Sequence, residues 1–281
     1  MAGMLYLCAT PIGNLDDMTF RVLNTLKEAD LIAAEDTRNS IKLLNHFEIK
    51  TPMTSYHEHN KFEKAEVLIG KMKEGLNVAL ITDAGTPAIS DPGEVLVARC
   101  MEEGIPVTSL PGACALITGL TLSGLSARRF VFEGFLPSEK KEKEAVLESL
   151  REEERTIILY EAPHRLKKTL TELQKVLGNR KLVLCRELTK KHEEAKPCTI
   201  DSALEFYEEN EPRGEYVLIL EGKDPQIKKE EAIEAYEQIS PEEHLQRYLD
   251  AGMDRKEALK KVAKERGISK RDLYNNLLTK K

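Results

Sequence analysis

The sequence predicts an α/β fold of two α/β domains, residues 1–125 and 126–224, followed by a small helical segment at 225–281. Short apolar runs alternate with helical patterns along both domains, which is typical of a sheet covered by helices. The first series of strands and helices ends with the helix at 113–122, which is rich in small apolar residues, and a second series starts at residue 130. After Asp224 and Pro225 the composition shifts to Lys, Glu, Gln and Ala, which indicates a linker or a surface helix ending near Gln238.

The first domain alternates strands and helices in a regular order. Thr19 precedes an apolar series at helical spacing and is a suitable N-cap for that helix. Asp91 is expected to cap the helix that begins near residue 93. Strands are predicted at 5–9, 31–34, 78–82 and 107–110, and helices from residue 20 and at 40–47, 62–73, 94–103 and 113–122.

The second domain repeats this kind of pattern, and the C-terminal segment is helical. In that segment two short helices, 257–264 and 270–278, are joined by a turn that contains Gly267, which is the outline of a helix-turn-helix. In the second domain, strands are predicted at 130–135, 156–160, 182–186 and 216–220, and helices at 139–154, 164–176 and 201–208.

Composition and charge exclude several classes of protein. No apolar run approaches the roughly 20 residues that a membrane-spanning helix needs, and no secretory signal pattern opens the chain, so a cytoplasmic protein is expected. The five cysteines are scattered without a C-x-x-C spacing, which favours reduced thiols over disulfides or a zinc site. The chain carries a net charge of −6, yet residues 252–281 contain ten Lys or Arg and only four Asp or Glu. A basic tail therefore follows an acidic body.

The loops after the strands are the expected place for a ligand, because open α/β sheets bind ligands beyond the carboxyl ends of their strands. The loop from Thr10 has one glycine where a dinucleotide fingerprint has three, which disfavours a dinucleotide-binding fold. Glu35 and Asp36 directly follow an apolar strand, where a charge is costly unless it is partnered, for example by Arg38. Glu35, Asp36 and Arg38 are therefore interpreted as the catalytic group that positions the substrate.

The loop 83–93 has the most unusual composition in the chain. Two glycines, two prolines and two aspartates follow a buried strand and form a preset loop that brings its backbone close to a ligand. Asp83, at the end of the strand, is expected to contact that ligand.

Basic, acidic and histidine side chains in other loops are candidates for substrate binding. His57 and His59 lack a third ligand at convincing spacing, so no metal is expected and His57 is interpreted as a surface or substrate contact. His164 has a structural alternative as a cap or a packed side chain, and Glu187 has one as a surface ion-pair partner. The substrate-binding candidates are His57, His164, Arg165, Glu187 and Lys190.

Seven motifs follow one another along the chain. They are TPIGNL at 10–15, AEDTR at 34–38, DAGTPAISDPG at 83–93, LPGACA at 110–115, EGFLP at 133–137, YEAPHR at 160–165 and RELTK at 186–190. In this order they resemble the ribosomal RNA small subunit methyltransferase I family, a cytidine 2′-O-methyltransferase branch of the tetrapyrrole methylase superfamily, over nearly the whole chain. Members that act on tetrapyrroles usually have G-G-D-P where this chain has TDAGT at 82–86, which fits the RNA branch.

The resemblance implies two α/β domains of the tetrapyrrole methylase type, usually in a homodimer, with S-adenosylmethionine folded in the cleft between them. It implies small-subunit ribosomal RNA, bare or in the 30S subunit, as the partner. Each buried polar group of that cofactor needs a polar partner in the protein. The residues that the resemblance places around the cofactor are Pro11, Asp83, Gly85, Thr86, Ile89, Cys114, Ala115, Tyr160, Glu161 and Glu215.

Methyl transfer to a ribose hydroxyl needs the acceptor oxygen held in line with the methyl group and a proton acceptor within hydrogen-bond reach. Two other functions fit parts of the sequence: methylation of a small tetrapyrrole-like metabolite, and a DNA-binding regulator that uses the helix-turn-helix outline. The basic tail disfavours the first, and the short helices and acidic body disfavour the second. The tail itself is expected to contact RNA, or else to serve dimer packing or solubility.

Overall fold

A computed structural model of the chain describes residues 2–227, 233, 236 and 238–278. The chain divides into two compact units, Met1–Leu150 with Arg155–Glu221, and Arg151–Glu154 with Gly222–Lys281. Both sheets lie in the first unit. Within the described ranges, none of the helices has the length and apolar character needed to cross a membrane.

The first sheet is parallel throughout and has the order β3-β2-β4-β1-β5. Side chains alternate along its strands, so Leu5 and Leu7 pack with residues of α3 and α4 while Cys8 packs with residues of α1 and α2 on the other face. Burial on both faces explains why these strands are continuous apolar runs. The strands are β1 Leu5–Cys8, β2 Leu31–Ala34, β3 Met53–Ser55, β4 Val78–Ile81 and β5 Val107–Leu110; the helices are α1 Phe20–Glu28, α2 Thr37–His46, α3 Lys61–Lys73, α4 Gly93–Glu102 and α5 Ala115–Ser123.

The second sheet is mixed and has the order β6-β7-β10-β8-β9, in which β6 and β7 are parallel and the other pairs are antiparallel. One face packs on α6, α7 and α8, and the other face packs on α5, which comes from the end of the first sheet. A Cβ on Gly119 of α5 would lie 3.1 Å from Val217 Cγ1, so a small residue lets this helix approach the sheet. The elements are β6 Phe130–Phe135, α6 Lys140–Leu150, β7 Thr156–Glu161, α7 Pro163–Leu177, β8 Lys181–Arg186, β9 Glu194–Thr199, α8 Ile200–Glu209 and β10 Tyr216–Leu220.

The predicted Thr19 cap is confirmed, whereas the N-cap residue of α4 is Pro92 and Asp91 bonds to the first N–H of that helix from the preceding position. The Thr19 hydroxyl accepts a hydrogen bond from the Val22 backbone N–H at the start of α1, at 3.2 Å. The Asp91 carboxylate accepts one from the Gly93 N–H, at 2.9 Å, where α4 begins. The loops after β1 and β4 are joined by two backbone hydrogen bonds between Thr10 and Gly85, of 2.9 and 3.1 Å. The ends of two neighbouring strands are thus fixed side by side.

In the described part of the second unit, helices run over Pro241–Asp250, Arg255–Glu265 and Lys270–Leu278. Its buried core consists of side chains from all three. The last two helices and the turn at Gly267, whose φ is +63°, confirm the predicted helix-turn-helix outline. Of the predicted linker 225–238, residues 228–232, 234, 235 and 237 lie outside the described residues, as do residues 279–281 of the basic tail.

Several element boundaries differ from the sequence prediction. The charged helix predicted to reach residue 154 ends at Leu150, because its last buried side chains are Leu147 and Leu150 and nothing apolar continues the face. Strand β9 was not predicted because it contains charged residues and Pro197; it lies at the edge of its sheet, where a proline is tolerated. The short strand β3 and the helix Pro241–Asp250 were also not predicted.

Candidate active site

A cleft of about 330 Å³ lies in the first unit, between loops of the two sheets. The first sheet contributes the loops after β1, β2, β4 and β5, and the second contributes the ends of β6, β7, β8 and the start of β10. The lining residues are Ile12, Glu35, Thr82, Asp83, Ala84, Gly85, Thr86, Ile89, Ser90, Asp91, Cys114, Ala115, Phe135, Tyr160, Glu161, Ala162, Leu188, Lys190, Glu215, Tyr216 and Val217.

The loop after β4 forms one wall and is fixed by its own side chains. Ala88 adopts a left-handed φ of +66°, a conformation that costs energy for any residue but glycine. The Asp91 carboxylate accepts hydrogen bonds from the backbone N–H groups of Ala88, at 3.0 Å, and Gly93, at 2.9 Å. Asp91 therefore holds the strained turn and the start of α4 with the same carboxylate.

Two carboxylates face the cleft at the ends of neighbouring strands. Glu35 Oε2 accepts a hydrogen bond from the Thr82 hydroxyl at 2.6 Å. Asp83 accepts one from the Asp36 backbone N–H and one from the side-chain amide of Asn39, both at 3.2 Å. Neither Glu35 nor Asp83 forms an ion pair with any described residue. Both carboxylates are oriented by hydrogen bonds from neutral donors.

Asp36 and Arg38 pair with each other instead of lining the cleft. The Asp36 carboxylate caps α2 through the Arg38 backbone N–H, at 2.8 Å, and is held at 2.6 Å by the Arg38 guanidinium. The side-chain hydrogen bond from Arg38 is the main cause that lowers the pKa of Asp36 to about 2. Asp36 is therefore a weaker proton acceptor than an ordinary carboxylate.

The N-terminus of α5 meets the second sheet inside the cleft. Cys114 is the N-cap residue of α5 and Ala115 is its first residue, and the Cys114 side chain forms no capping hydrogen bond. The Tyr160 hydroxyl accepts a hydrogen bond from the Leu116 N–H at 2.9 Å, and its ring packs edge-on against Phe135, with centroids 5.6 Å apart. Burial raises the pKa of Tyr160 to about 12, so its hydroxyl stays protonated. A helix N-terminus in this position favours a negatively charged ligand group.

Lys190 forms an ion-pair cluster on the opposite wall. Its ammonium lies 2.9 Å from Glu187 Oε1 and 2.8 Å from Glu215 Oε2. Burial disfavours its charged form, but the hydrogen bonds to Glu215 and Glu187 outweigh that effect and raise the pKa of Lys190. A Cβ on Gly13 would lie 2.3 Å from Lys190 Cγ, so only glycine admits the lysine stem at that point.

The carboxylate of Glu161 is used inside the fold. It accepts hydrogen bonds from the Thr169 hydroxyl and from the Ala162 N–H, the latter at 2.8 Å, and lies 3.4 Å from Arg165 Nε. Arg165 also donates to the Leu136 carbonyl at 2.8 Å. This pair of the buried Glu161 and the half-buried Arg165 joins β7 to α7 at the wall of the cleft.

The structure brings most of the predicted site residues together. Nine of the ten predicted cofactor residues line the cleft, and Pro11 lines a second, adjoining hollow instead. Of the other candidates, Glu35 and Lys190 line the cleft, whereas Asp36, Arg38, His57, His164, Arg165 and Glu187 do not. The cleft is also lined by residues that were not predicted for the site: Ile12, Thr82, Ala84, Ser90, Asp91, Phe135, Ala162, Leu188 and Val217.

Several of the missed residues sit inside the motifs that were recognised. Ile12, Phe135 and Leu188 are the apolar members of TPIGNL, EGFLP and RELTK. Because the polar neighbours of these residues in the same motifs were expected at the cleft, the motifs also indicated that these apolar side chains lie there. Among the described residues, no three His, Cys, Asp or Glu side chains form a group that would hold a metal ion.

Comparisons with known proteins agree with this architecture. Residues 4–204 match the family described as Tetrapyrrole (Corrin/Porphyrin) Methylases. Ribosomal RNA small subunit methyltransferase I of Halalkalibacterium halodurans is 50% identical over 273 residues, which cover 97% of this chain and 94% of that protein. The proteins of the same name from Bacillus subtilis (strain 168) and Escherichia coli O157:H7 are 47% and 44% identical, over 97% and 98% of this chain and 93% and 95% of theirs.

Solved structures share the fold at low sequence identity. A diphthine synthase superposes with a TM-score of 0.64 at 14% identity, over 79% of this chain and 90% of that one. A uroporphyrin-III C-methyltransferase from Thermus thermophilus, complexed with S-adenyl homocysteine, superposes with a TM-score of 0.55 at 19% identity, over 78% of this chain and 97% of that one. By its family match and its near full-length relatives, the chain belongs to the tetrapyrrole methylase family and, within it, to the ribosomal RNA small subunit methyltransferase I family.

Proposed function

We propose that this protein transfers a methyl group from S-adenosylmethionine to the ribose 2′-hydroxyl of a cytidine in small-subunit (16S) ribosomal RNA. The observation that carries the proposal is the cleft, in which nine residues predicted for the donor converge. Near full-length relatives named as ribosomal RNA small subunit methyltransferases support RNA as the acceptor.

The cleft residues fit the donor in chemical character and in size. A volume of about 330 Å³ falls within the ~300–1,000 Å³ typical of small-molecule sites. The N-terminus of α5 at Ala115 offers backbone N–H groups to a carboxylate, and Glu215 offers oxygens to hydroxyl or ammonium groups. Ile89 and Val217 provide apolar surface for an adenine ring. The S-adenyl homocysteine bound by the Thermus thermophilus neighbour supports the same assignment.

The chain itself has to orient the acceptor and take up a proton. Bound S-adenosylmethionine supplies an electrophilic methyl group on a sulfonium centre. The acceptor hydroxyl loses its proton as its oxygen gains the methyl, so a carboxylate near the cleft must accept that proton and later release it to water. Glu35 and Asp83 suit this task because both line the cleft and neither forms a close ion pair with another described residue. Asp36 suits it less, because Arg38 lowers its pKa.

Methylation of a small tetrapyrrole-like metabolite is the second candidate function, favoured only by the shared fold. A direct test offers labelled donor with three acceptors in parallel: small ribosomal subunits, naked 16S ribosomal RNA and a porphyrinoid. We expect label in the RNA of at least one of the first two. Label in the porphyrinoid alone would refute the RNA assignment.

Formation of a homodimer stays a prediction, which sedimentation of the purified protein tests.

A further inference from the structure

A second hollow of about 180 Å³ adjoins the cleft, and we refer to it as the side pocket. Thr82 and Asp83 line both cavities, so they form the wall that the two share. The rest of the side-pocket lining is mixed: Pro11, Leu15 and Leu43 are apolar, Asn39 and Ser40 are polar, and Gly13 adds backbone. Of the ten residues predicted for the donor, Pro11 and Asp83 line the side pocket, and the other eight line only the main cleft.

The shape and charge of the side pocket restrict what it holds. Its volume lies below the ~300 Å³ of ordinary small-molecule sites, so it accommodates one ring of a larger ligand rather than a macrocycle. Asp83 is the charged residue in its lining, and Lys or Arg does not occur there. An anionic phosphate is therefore disfavoured, whereas a neutral base or ribose fits among Pro11, Leu15 and Leu43.

The Asp83 carboxylate is held in place at the junction of the two cavities. The Asn39 side-chain amide donates to Asp83 Oδ2 at 3.2 Å, and the Asp36 N–H donates to Oδ1 at 3.2 Å. Asn39 lies on α2, whose first turn is capped by Asp36 and clamped by Arg38. These two hydrogen bonds from the start of α2 thereby orient the carboxylate. Glu35, by contrast, lines only the main cleft.

We propose that the side pocket receives the nucleoside to be methylated, turned out from its RNA strand, and that Asn39 is a positioning residue for Asp83. Asp83 then accepts the proton of the ribose hydroxyl at the junction with the donor cleft. The inference rests on the proposed function and adds to it the acceptor site and the base. Enzymes that modify a nucleotide commonly take it out of the stack into such a pocket, and single-stranded RNA allows this at low cost.

Two variants test the proposal, each with a matched control on the same helix. Leu43→Phe fills the side pocket, and Ile41→Phe makes the same kind of change at an exposed position of α2. Asn39→Ala removes the amide that holds Asp83, and Asn45→Ala removes an exposed amide of the same helix. The measured quantities are kcat and KM with 16S ribosomal RNA, the dissociation constant of S-adenosylhomocysteine by calorimetry, and retention of the RNA on filters with S-adenosylhomocysteine present.

For Leu43→Phe we expect weaker RNA retention and a KM raised about tenfold, with unchanged affinity for S-adenosylhomocysteine, because only the acceptor pocket is filled. For Asn39→Ala we expect kcat to fall about tenfold or more with KM nearly unchanged, and Asn39→Gln to restore part of it, because the amide orients the base rather than binding RNA. Both controls should match the parent protein.

Three results would separate the possible failures. Parent-like kcat, KM and RNA retention in both variants would overturn the acceptor-pocket assignment while leaving the proposed function intact. If Leu43→Phe weakened S-adenosylhomocysteine binding as much as RNA binding, the side pocket would belong to the donor site. That result would also overturn the acceptor-pocket assignment. Absence of methyl transfer to RNA by the parent protein would refute the proposed function itself.

Discussion

The loop after β5 is held so close to the end of β1 that an added methyl group at Gly112 should disturb the donor site. A Cβ built on Gly112 lies 2.7 Å from the Ala9 Cβ, whereas ordinary contacts are 3.4–4 Å. Neither atom belongs to a flexible side chain, and Ala9 is buried. In Gly112→Ala the loop must therefore move by about 0.7 Å or more, since packed atoms do not overlap.

That displacement acts on Cys114 and Ala115, which follow directly and line the cleft at the start of α5. Misplacement of about 1 Å costs up to about 100-fold in rate, so we expect Gly112→Ala to lower kcat/KM by about tenfold or more. The affinity for S-adenosylhomocysteine, measured by calorimetry, should fall in parallel. Ala9→Gly removes the opposing methyl group, so the double variant should recover most of the lost affinity.

Gly70→Ala is the matched control for this substitution. Gly70 lies within α3, and a Cβ there meets no atom within 4 Å. Alanine should stabilise the helix by about 0.5–1 kcal/mol and leave donor binding unchanged. The steric reasoning would be refuted if Gly112→Ala bound S-adenosylhomocysteine like the parent, or if Ala9→Gly failed to restore an affinity that had been lost.

Three further predictions concern single contacts. Tyr160→Phe removes the acceptor of the Leu116 N–H, which should lower the free energy of unfolding by about 1 kcal/mol in a denaturant titration; an unchanged unfolding midpoint would contradict this. Replacing Lys270 and Arg271 with Gln should raise KM for RNA and flatten its salt dependence, because both line a basic groove of the second unit; an unchanged salt slope would count against RNA contact there. Burial lowers the pKa of His244 below 6.5, so at low pH the unfolded chain binds a proton that the folded chain does not. The helix Pro241–Asp250 should therefore lose hydrogen-exchange protection as the pH falls below about 6.5. His244→Gln should remove this pH dependence, and an unaltered pH profile in that variant would show the assignment to be wrong.

The alternation of apolar runs and helical patterns was sufficient to predict both sheets and most helices, because the central strands of both sheets are buried on both faces and are therefore continuous apolar runs. It failed where burial is partial. Strand β9 pairs along one edge only and carries charged residues and Pro197, so its sequence lacks the apolar signal of a central strand. The order of strands and the mixed directions in the second sheet depend on contacts distant in sequence, which local patterns do not encode.

The candidate site was predictable to the extent that its residues lie in motifs. The motif positions of Asp83, Cys114 and Tyr160 placed them at the ends of elements, and the structure brings them to one cleft. Arg38 was expected as a partner of the carboxylates after β2, and the structure pairs it with Asp36. The contact between Asn39 and Asp83 was not predictable, because it depends on side-chain directions at the start of α2. Sequence spacing also did not indicate that Thr82 and Asp83 separate two cavities rather than belonging to an ordinary loop.

The central claim is that the methyl group reaches a ribose oxygen of a cytidine. It is tested most directly by labelling small ribosomal subunits with methyl-labelled S-adenosylmethionine and this protein, then digesting the RNA with alkali. A 2′-O-methyl group blocks cleavage of the neighbouring phosphodiester, so the account predicts label in an alkali-resistant dinucleotide that begins with 2′-O-methylcytidine. Label recovered in a mononucleotide methylated on its base, or in a resistant dinucleotide that begins with another nucleoside, would contradict it.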